Sequence, residues 1–147
     1  MSLLCVGSIG IDTVETPTAR RESILGGSAV YFSYAASYFT NVQLVGVVGQ
    51  DFPPAYRKLL ESREIDLTGL EIAEGKTFRW TGKYHENMND RDTLEVHLNV
   101  FGQFNPKVPA QFQNSDFLFL ANTVPAQQLQ VLTQMTKRPK FVAADTM

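Results

Sequence analysis

Short runs of apolar residues, each bounded by small or polar residues, recur along most of the chain. Four of them predict strands that are buried on both faces, as in a parallel sheet. They lie at 3–9, 42–48, 117–120 and 141–144. The alternation of these runs with longer segments predicts an α/β fold with crossover connections.

Three of the longer segments predict helices. Residues 29–39 are apolar almost all round, which is typical of a buried helix, and Asn41 is a plausible stop. Residues 55–62 follow two prolines, with Asp51 as a candidate N-cap. Residues 125–135 form the third, with Asn122 or Thr123 as the candidate cap.

The middle of the chain has a different pattern. Residues 77–85 and 93–100 alternate, with Phe78, Trp80, Gly82 and Tyr84 on one face of the first segment. Residues 13–24 contain β-branched residues and one proline, which favours short extended pieces. The pattern predicts a half-exposed antiparallel flap that stands off the main sheet.

Composition narrows the function classes. The 147 residues suffice for one domain, and the net charge of −2 offers no basic surface for nucleic acid. A single cysteine, Cys5, excludes an intrachain disulfide and suits the cytoplasm. No run approaches the roughly 20 apolar residues that span a bilayer. We therefore expect a cytoplasmic protein with neither nucleic acid nor a membrane as partner.

Polar groups follow three predicted strands, namely Asp12, Asn122 and Asp145. Carboxyl ends of parallel strands meet at one edge of a sheet, where ligands bind. Gly26-Gly27-Ser28 adds backbone N–H groups at a helix start, which suit a hydroxyl oxygen or an anion. Together these groups predict a polyol site. Taken singly, each has a structural alternative: a turn at Asp12 and at the two glycines, a helix cap at Asn122, and simple solvation at Asp145.

Other sites are not predicted. The chain lacks both G-x-G-x-x-G and G-x-x-x-x-G-K-[ST], so neither a dinucleotide site nor a Walker-type phosphate loop is expected. His85 and His97 lie on separate predicted strands, and Asp90 and Asp92 lie between them. This spacing is too loose for a metal site, and none is expected.

Four segments resemble the ribokinase-type, or PfkB, carbohydrate kinase family. They are VGSIGID (6–12), GGSAVYFSYAA (26–36), LVGVVGQD (44–51) and KTFRW (76–80). The resemblance covers essentially the whole chain. It implies a ribokinase-like α/β fold, with a mostly parallel sheet, flanking helices and a small antiparallel β lid. Residues 1–147 would then be the amino-terminal part of one kinase domain, with lid elements at about 12–24 and 76–101.

The resemblance also implies residue roles. Asp12 matches the family's carboxylate that binds substrate hydroxyls, and Gly26 and Gly27 match its diglycine. Asn122 falls where members often place a polar substrate ligand. Two further candidates, Arg79 and Asn99, would reach the substrate from the lid, whereas Asp51 belongs to a structural turn.

One position departs from the family pattern. Tyr31 stands where many sugar-kinase members have Asn. A phenol is bulkier and can stack on a ring, so a nucleoside or a larger polyol stays open as the substrate.

The family's Gly-Ala-Gly-Asp turn, which carries the general base, has no counterpart here. We therefore interpret the chain as truncated before the ATP-binding part, with no catalytic residue, no bound cofactor and no turnover of its own. The intact enzyme is expected to use ATP and Mg²⁺ to phosphorylate a hydroxyl of a sugar or related polyol. The alternatives are a nucleoside kinase, a non-catalytic polyol-binding module, and a homodimer formed through the apolar lid face at Phe78, Trp80 and Tyr84.

Overall fold

The computed structural model describes residues 1–146, which contain nine strands, three α-helices and two 3₁₀ helices. The strands are β1 (Ser2–Val6), β2 (Gly10–Glu15), β3 (Arg20–Gly26), β4 (Asn41–Gly49), β5 (Asp66–Ala73), β6 (Phe78–Tyr84), β7 (Arg91–His97), β8 (Phe117–Leu120) and β9 (Phe141–Ala144). The helices are α1 (Ser28–Ala36), α2 (Pro54–Glu61) and α3 (Pro125–Gln134), with 3₁₀ turns at Asn99–Gln103 and Ala110–Phe112.

The main sheet has the strand order β5-β4-β1-β8-β9, and every neighbouring pair is parallel. Apolar side chains from its two faces enter two separate core clusters, so the predicted burial of the inner strands on both faces is confirmed. The first cluster includes α1 and α2, and the second includes α3. The predicted burial of β9 is wrong, since this outer strand leaves Phe141 64% exposed.

Helix α1 packs against the main sheet as its apolar pattern predicts. Ala29 and Val30 are buried, and the ring of Phe32 stacks on that of Phe119 with 3.7 Å between centroids. The helix ends at Ala36, earlier than predicted, because the chain must return to begin β4 at Asn41.

The predicted side-chain caps of α2 and α3 are wrong. Pro53 and Val124 occupy the N-cap positions, and neither helix has a side-chain cap. Pro54 and Pro125 lie in the first turns of these helices. Backbone N–H groups there have no acceptor within the helix, so the N–H that proline lacks costs no hydrogen bond. Asp51 instead accepts hydrogen bonds from the N–H of Thr77, just before β6, and from Arg79 in β6.

A second sheet forms the lid, with the order β3-β2-β6-β7. The pairs β2–β3 and β6–β7 are antiparallel, as predicted for the flap, but β2 and β6 are parallel. The lid is therefore a mixed sheet. Strands β2 and β6 are parallel because both lead away from the main sheet. Strand β7 ends at His97, and the prediction that it continues to residue 100 is wrong, since Asn99 begins a 3₁₀ turn at φ 49°.

The lid stands over the carboxyl ends of the main sheet, because β2 follows β1 directly and β6 follows β5. Strand β1 pairs with β4 on one side and with β8 on the other. The crevice beyond such a central strand is the usual ligand position in open α/β sheets. No helix within residues 1–146 has the length and apolar character needed to cross a membrane.

Candidate functional site

A cavity of about 370 Å³ lies between the lid and the carboxyl ends of the main sheet. It is lined by Ser8, Asp12, Gly27, Ser28, Tyr31, Phe78, Trp80, Tyr84, Arg91, Asn122 and Asp145. The polar residues predicted at three strand ends therefore surround one space. Other clefts on the described surface are larger, up to about 590 Å³, but their linings do not include Asp12.

Asp12 is the chemically distinctive residue of this cavity. Its Oδ1 is buried and has no hydrogen-bond partner in the protein. Burial raises the pKa of Asp12 to about 6, and hydrogen bonding from the Trp80 backbone opposes that rise. A buried carboxylate oxygen without a partner is costly unless a ligand donates to it. Sugar hydroxyls are suitable donors.

Two glycines make the room that this carboxylate occupies. A Cβ on Gly26 would overlap Asp12 Oδ2 and lie 2.9 Å from Oδ1. A Cβ on Gly10, the partner of Gly26 across the β2–β3 pair, would lie 3.2 Å from Oδ1. Gly26 therefore contributes to the site by leaving space for the Asp12 carboxylate. The contribution of Gly10 was missed in the sequence, although its place two residues before Asp12 was a usable signal.

Gly27 adopts φ 99°, and a Cβ there would lie 2.8 Å from the Cα of Ile9. The turn interpretation thus holds for this residue. The N–H groups of Ser28 and Ala29 at the start of α1 are not free, contrary to expectation, because residue Ser8 packs against that end. The N–H of Ser28 donates to Ser8 Oγ at 3.1 Å, and that of Ala29 donates to the Ser8 carbonyl at 3.2 Å.

Two serine hydroxyls provide the hydrogen-bond donor that the paired amides of Ser28 and Ala29 do not provide. Ser28 Oγ accepts the N–H of Asn122 at 2.8 Å and lies 3.2 Å from Ser8 Oγ. One hydroxyl proton serves the contact between the two serines, which leaves the other O–H for a ligand. The sequence interpretation treated Ser8 only as part of a strand end and so missed it.

Strand β6 forms an aromatic wall beside Asp12, because Trp80 is paired with Asp12 across the neighbouring strands β2 and β6. Phe78, Trp80 and Tyr84 line the cavity from this strand, and the Trp80 indole N–H donates to Thr93 Oγ1 at 3.1 Å. The Arg91 guanidinium lies 5.9 Å from the Trp80 ring centroid. Phe78, Trp80 and Tyr84, which the sequence suggested as a dimer face, thus line the cavity, and the homodimer stays a prediction.

Tyr31 completes the wall from the first turn of α1. It is 61% exposed and lines the same cavity as Asp12. Burial raises the pKa of Tyr31, and the negative charge of Asp12 raises it further. The phenol therefore stays protonated and can donate as well as stack.

Two predicted lid residues lie away from the cavity. Arg79 Nη2 donates to Asp51 Oδ2 at 2.8 Å, because Arg79 alternates with Phe78 and Trp80 and takes the opposite face of β6. Asn99 Nδ2 donates to the Thr77 carbonyl at 2.9 Å, which holds the 3₁₀ turn after β7. Neither residue lines the space around Asp12. Within residues 1–146, no group of three His, Cys, Asp or Glu side chains is placed to hold a metal ion.

The architecture matches solved kinases over almost the whole chain. A nucleoside kinase from Burkholderia thailandensis in complex with inosine superposes with a TM-score of 0.78 at 15% identity, over 96% of this chain and 52% of that one. A ribokinase from Cryptococcus neoformans in complex with ADP gives a TM-score of 0.73 at 20% identity, over 97% of this chain and 48% of that one. This chain has the ribokinase fold.

The amino-acid sequence is also similar to that of a kinase. A cytidine kinase from Thermococcus kodakarensis is 27% identical over 137 residues, which are 92% of this chain and 48% of that protein. No family model matches the chain. The chain therefore spans about half the length of the kinases it resembles. The resemblance to ribokinase-type kinases inferred from the sequence is confirmed, together with the parallel sheet and lid.

Proposed function

We propose that this chain is the acceptor-binding part of an ATP-dependent kinase that phosphorylates a hydroxyl group of a nucleoside. The observation that carries the proposal is an unpartnered, buried carboxylate oxygen on Asp12, in a cavity walled by four aromatic side chains. The carboxylate suits the hydroxyls of a ribose. The aromatic wall suits a flat heterocycle attached to that ribose.

The two halves of the cavity account for the two halves of such an acceptor. Asp12 can accept from two hydroxyls, and the free O–H of the Ser8–Ser28 pair can donate to another sugar oxygen. Stacking of a base on an aromatic side chain contributes about 1–3 kcal/mol per base. A free sugar would leave most of that wall uncovered, which favours a nucleoside over the sugar that the sequence interpretation placed first.

The similar proteins support this reading of the site. They include a cytidine kinase, a nucleoside kinase with inosine and a ribokinase with ADP. We propose ATP and Mg²⁺ as the phosphoryl donor system on that basis. The residues around Asp12 would bind and orient the acceptor. Phosphoryl transfer depends mainly on such positioning and on charge stabilisation.

We further propose that the protein forms a homodimer and is cytoplasmic. Strand β7 is an outer strand of the lid, and Leu94, Val96 and Leu98 are each about half exposed beside it. An open edge with apolar side chains favours pairing with a second lid, which would make a homodimer.

Cys5, the one cysteine, is fully buried, which suits the cytoplasm.

Phosphoryl transfer by the complete protein tests the proposed function. With ATP and Mg²⁺, we expect phosphorylation of nucleosides at a kcat/KM at least about tenfold above that of free ribose, from the lost stacking. Asp12→Ala should abolish turnover of both acceptors. Turnover of ribose alone would favour a sugar kinase, and nucleoside binding without turnover would favour a non-catalytic module.

A further inference from the structure

The indole of Trp80 lies over Gly82 on strand β6. A Cβ on Gly82 would overlap Trp80 Cη2 and lie 2.7 Å from Cζ3, and the three atoms nearest to it all belong to the Trp80 ring. Residues i and i+2 share one face of a strand, so the ring occupies the space that a side chain at position 82 would fill. Only glycine at this position leaves that space free.

A bulge in β7 brings a hydrogen-bond acceptor to the edge of the ring. Trp80 has Val96 as its partner on β7. Two residues later, Gly82 has Thr93, so three residues of β7 span two of β6. Because side chains alternate along a strand, the extra residue moves Thr93 to the face of the lid that carries Trp80. Thr93 Oγ1 accepts the indole N–H at 3.1 Å. Gly82 therefore leaves space for the ring, and Thr93 holds its N–H edge.

This arrangement places the ring next to the binding carboxylate. Trp80 is the partner of Asp12 across β2 and β6, and its ring extends over Gly82, which is the partner of Val14. The ring therefore reaches two residues, or about 7 Å, along the lid from the Asp12–Trp80 pair. A nucleoside likewise carries its base next to its ribose.

We propose that Gly82 and Thr93 are positioning residues that hold the Trp80 indole as a preformed stacking platform for the base. A side chain that is ordered before the ligand binds lowers the entropic cost of binding and so raises affinity. The platform contacts the base and not the ribose, so both residues favour a nucleoside over free ribose. This inference rests on the proposed function and adds two determinants of its specificity.

The two residues act on the side chain of Trp80 and not on its backbone. The pairing of β2 with β6, which keeps Asp12 beside Trp80, is made by backbone hydrogen bonds. A substitution at Gly82 or Thr93 therefore moves the indole and leaves the carboxylate in place. Ribose binding reports on the carboxylate alone.

Calorimetric binding of cytidine and of ribose to the complete protein tests the inference. Gly82→Ala displaces the indole and should raise Kd for cytidine about tenfold, within the range that lost base stacking gives. Thr93→Val keeps the shape of the side chain but removes the acceptor, and should raise that Kd about threefold, the scale of one neutral hydrogen bond. Kd for ribose should stay within about twofold of wild type in both variants, as expected for groups without shared contacts.

Each variant has a matched control. Thr81→Val makes the same exchange as Thr93→Val on the opposite face of β6. Gly102→Ala makes the same exchange as Gly82→Ala in the turn Asn99–Gln103, where the added Cβ would come no nearer than 3.2 Å to Leu98. Both controls should leave both affinities unchanged. Equal losses for cytidine and ribose in Gly82→Ala would overturn the inference, and so would a wild-type affinity for cytidine in this variant.

The ligand-free protein tests the platform separately from the proposed function. Trp80 is the one tryptophan of this sequence, and its indole N–H resonance in a proton–nitrogen correlation spectrum is identified by its loss in Trp80→Phe. The resonance should shift in Gly82→Ala and Thr93→Val and stay in place in the two controls. An unchanged resonance in both variants would refute the platform. A wild-type protein that binds neither cytidine nor inosine would refute the proposed function and, with it, the specificity role, even where the resonance shifts.

Discussion

The carboxylate of Asp12 fills the space in which a side chain at position 26 would lie. A Cβ on Gly26 would overlap Asp12 Oδ2, so the diglycine and the carboxylate form one structural unit. This relationship explains why an acidic residue after the first strand and a glycine pair 14 positions later belong to the same site.

Replacement of Gly26 by alanine should displace the carboxylate of Asp12. We expect acceptor affinity to fall at least about tenfold and the free energy of unfolding to fall by about 1–3 kcal/mol, the usual cost of an overpacked site. Calorimetric titration and urea denaturation measure the two effects. Unchanged affinity in a folded Gly26→Ala variant would show that Asp12 does not depend on this space.

Stability should depend on pH through Asp12. The pKa of Asp12 is about 6 in the folded protein and 3.8 for an ordinary aspartate, so the protonated carboxyl contributes its full stabilisation below pH 3.8. That stabilisation is lost as pH rises through 6. The shift corresponds to at most about 3 kcal/mol, and partial solvent exposure reduces our expectation to about 1–2 kcal/mol.

Urea denaturation of wild type and Asp12→Asn between pH 4 and 7.5 isolates this effect, since all other groups titrate in both proteins. The difference in the free energy of unfolding between variant and wild type should grow in favour of the variant as pH rises. A difference that stays constant with pH would mean that Asp12 titrates normally.

Truncation of the aromatic wall should affect the base more than the sugar. Trp80→Ala is expected to weaken nucleoside binding by about 1–3 kcal/mol and to leave ribose binding nearly unchanged. Phe39→Ala is a matched control, because Phe39 is 85% exposed and does not line the cavity. Equal losses for nucleoside and ribose in Trp80→Ala would argue against base stacking on this wall.

The gathering of Asp12, Asn122 and Asp145 could be predicted from the sequence for a simple reason. Parallel strands place their carboxyl ends along one edge, so polar residues after buried runs converge without any knowledge of packing. The buried runs were recognisable because strands covered on both faces are continuously apolar. The buried strands, and the edge at which they end, therefore depend on the local pattern of apolar and polar residues.

The errors have a common cause in tertiary packing. Alternation along β6 gives two faces, but only the docking of the lid decides that Phe78 and Trp80 face the cavity while Arg79 faces Asp51. Strand β5 was missed because it is an outer strand with polar residues such as Asp66 and Glu71 on its exposed positions. The helix-start amides were misjudged because the acceptor, Ser8, comes from a distant segment.

The pH dependence of acceptor binding tests the central claim most directly. A hydroxyl donates to the ionised form of Asp12, so affinity for a nucleoside should rise about tenfold between pH 5 and 7.5, as expected for a pKa of about 6. Calorimetric titration across this range should show the rise in wild type, and weak, pH-independent binding in Asp12→Asn. Equal affinities for the two proteins at every pH would contradict the account.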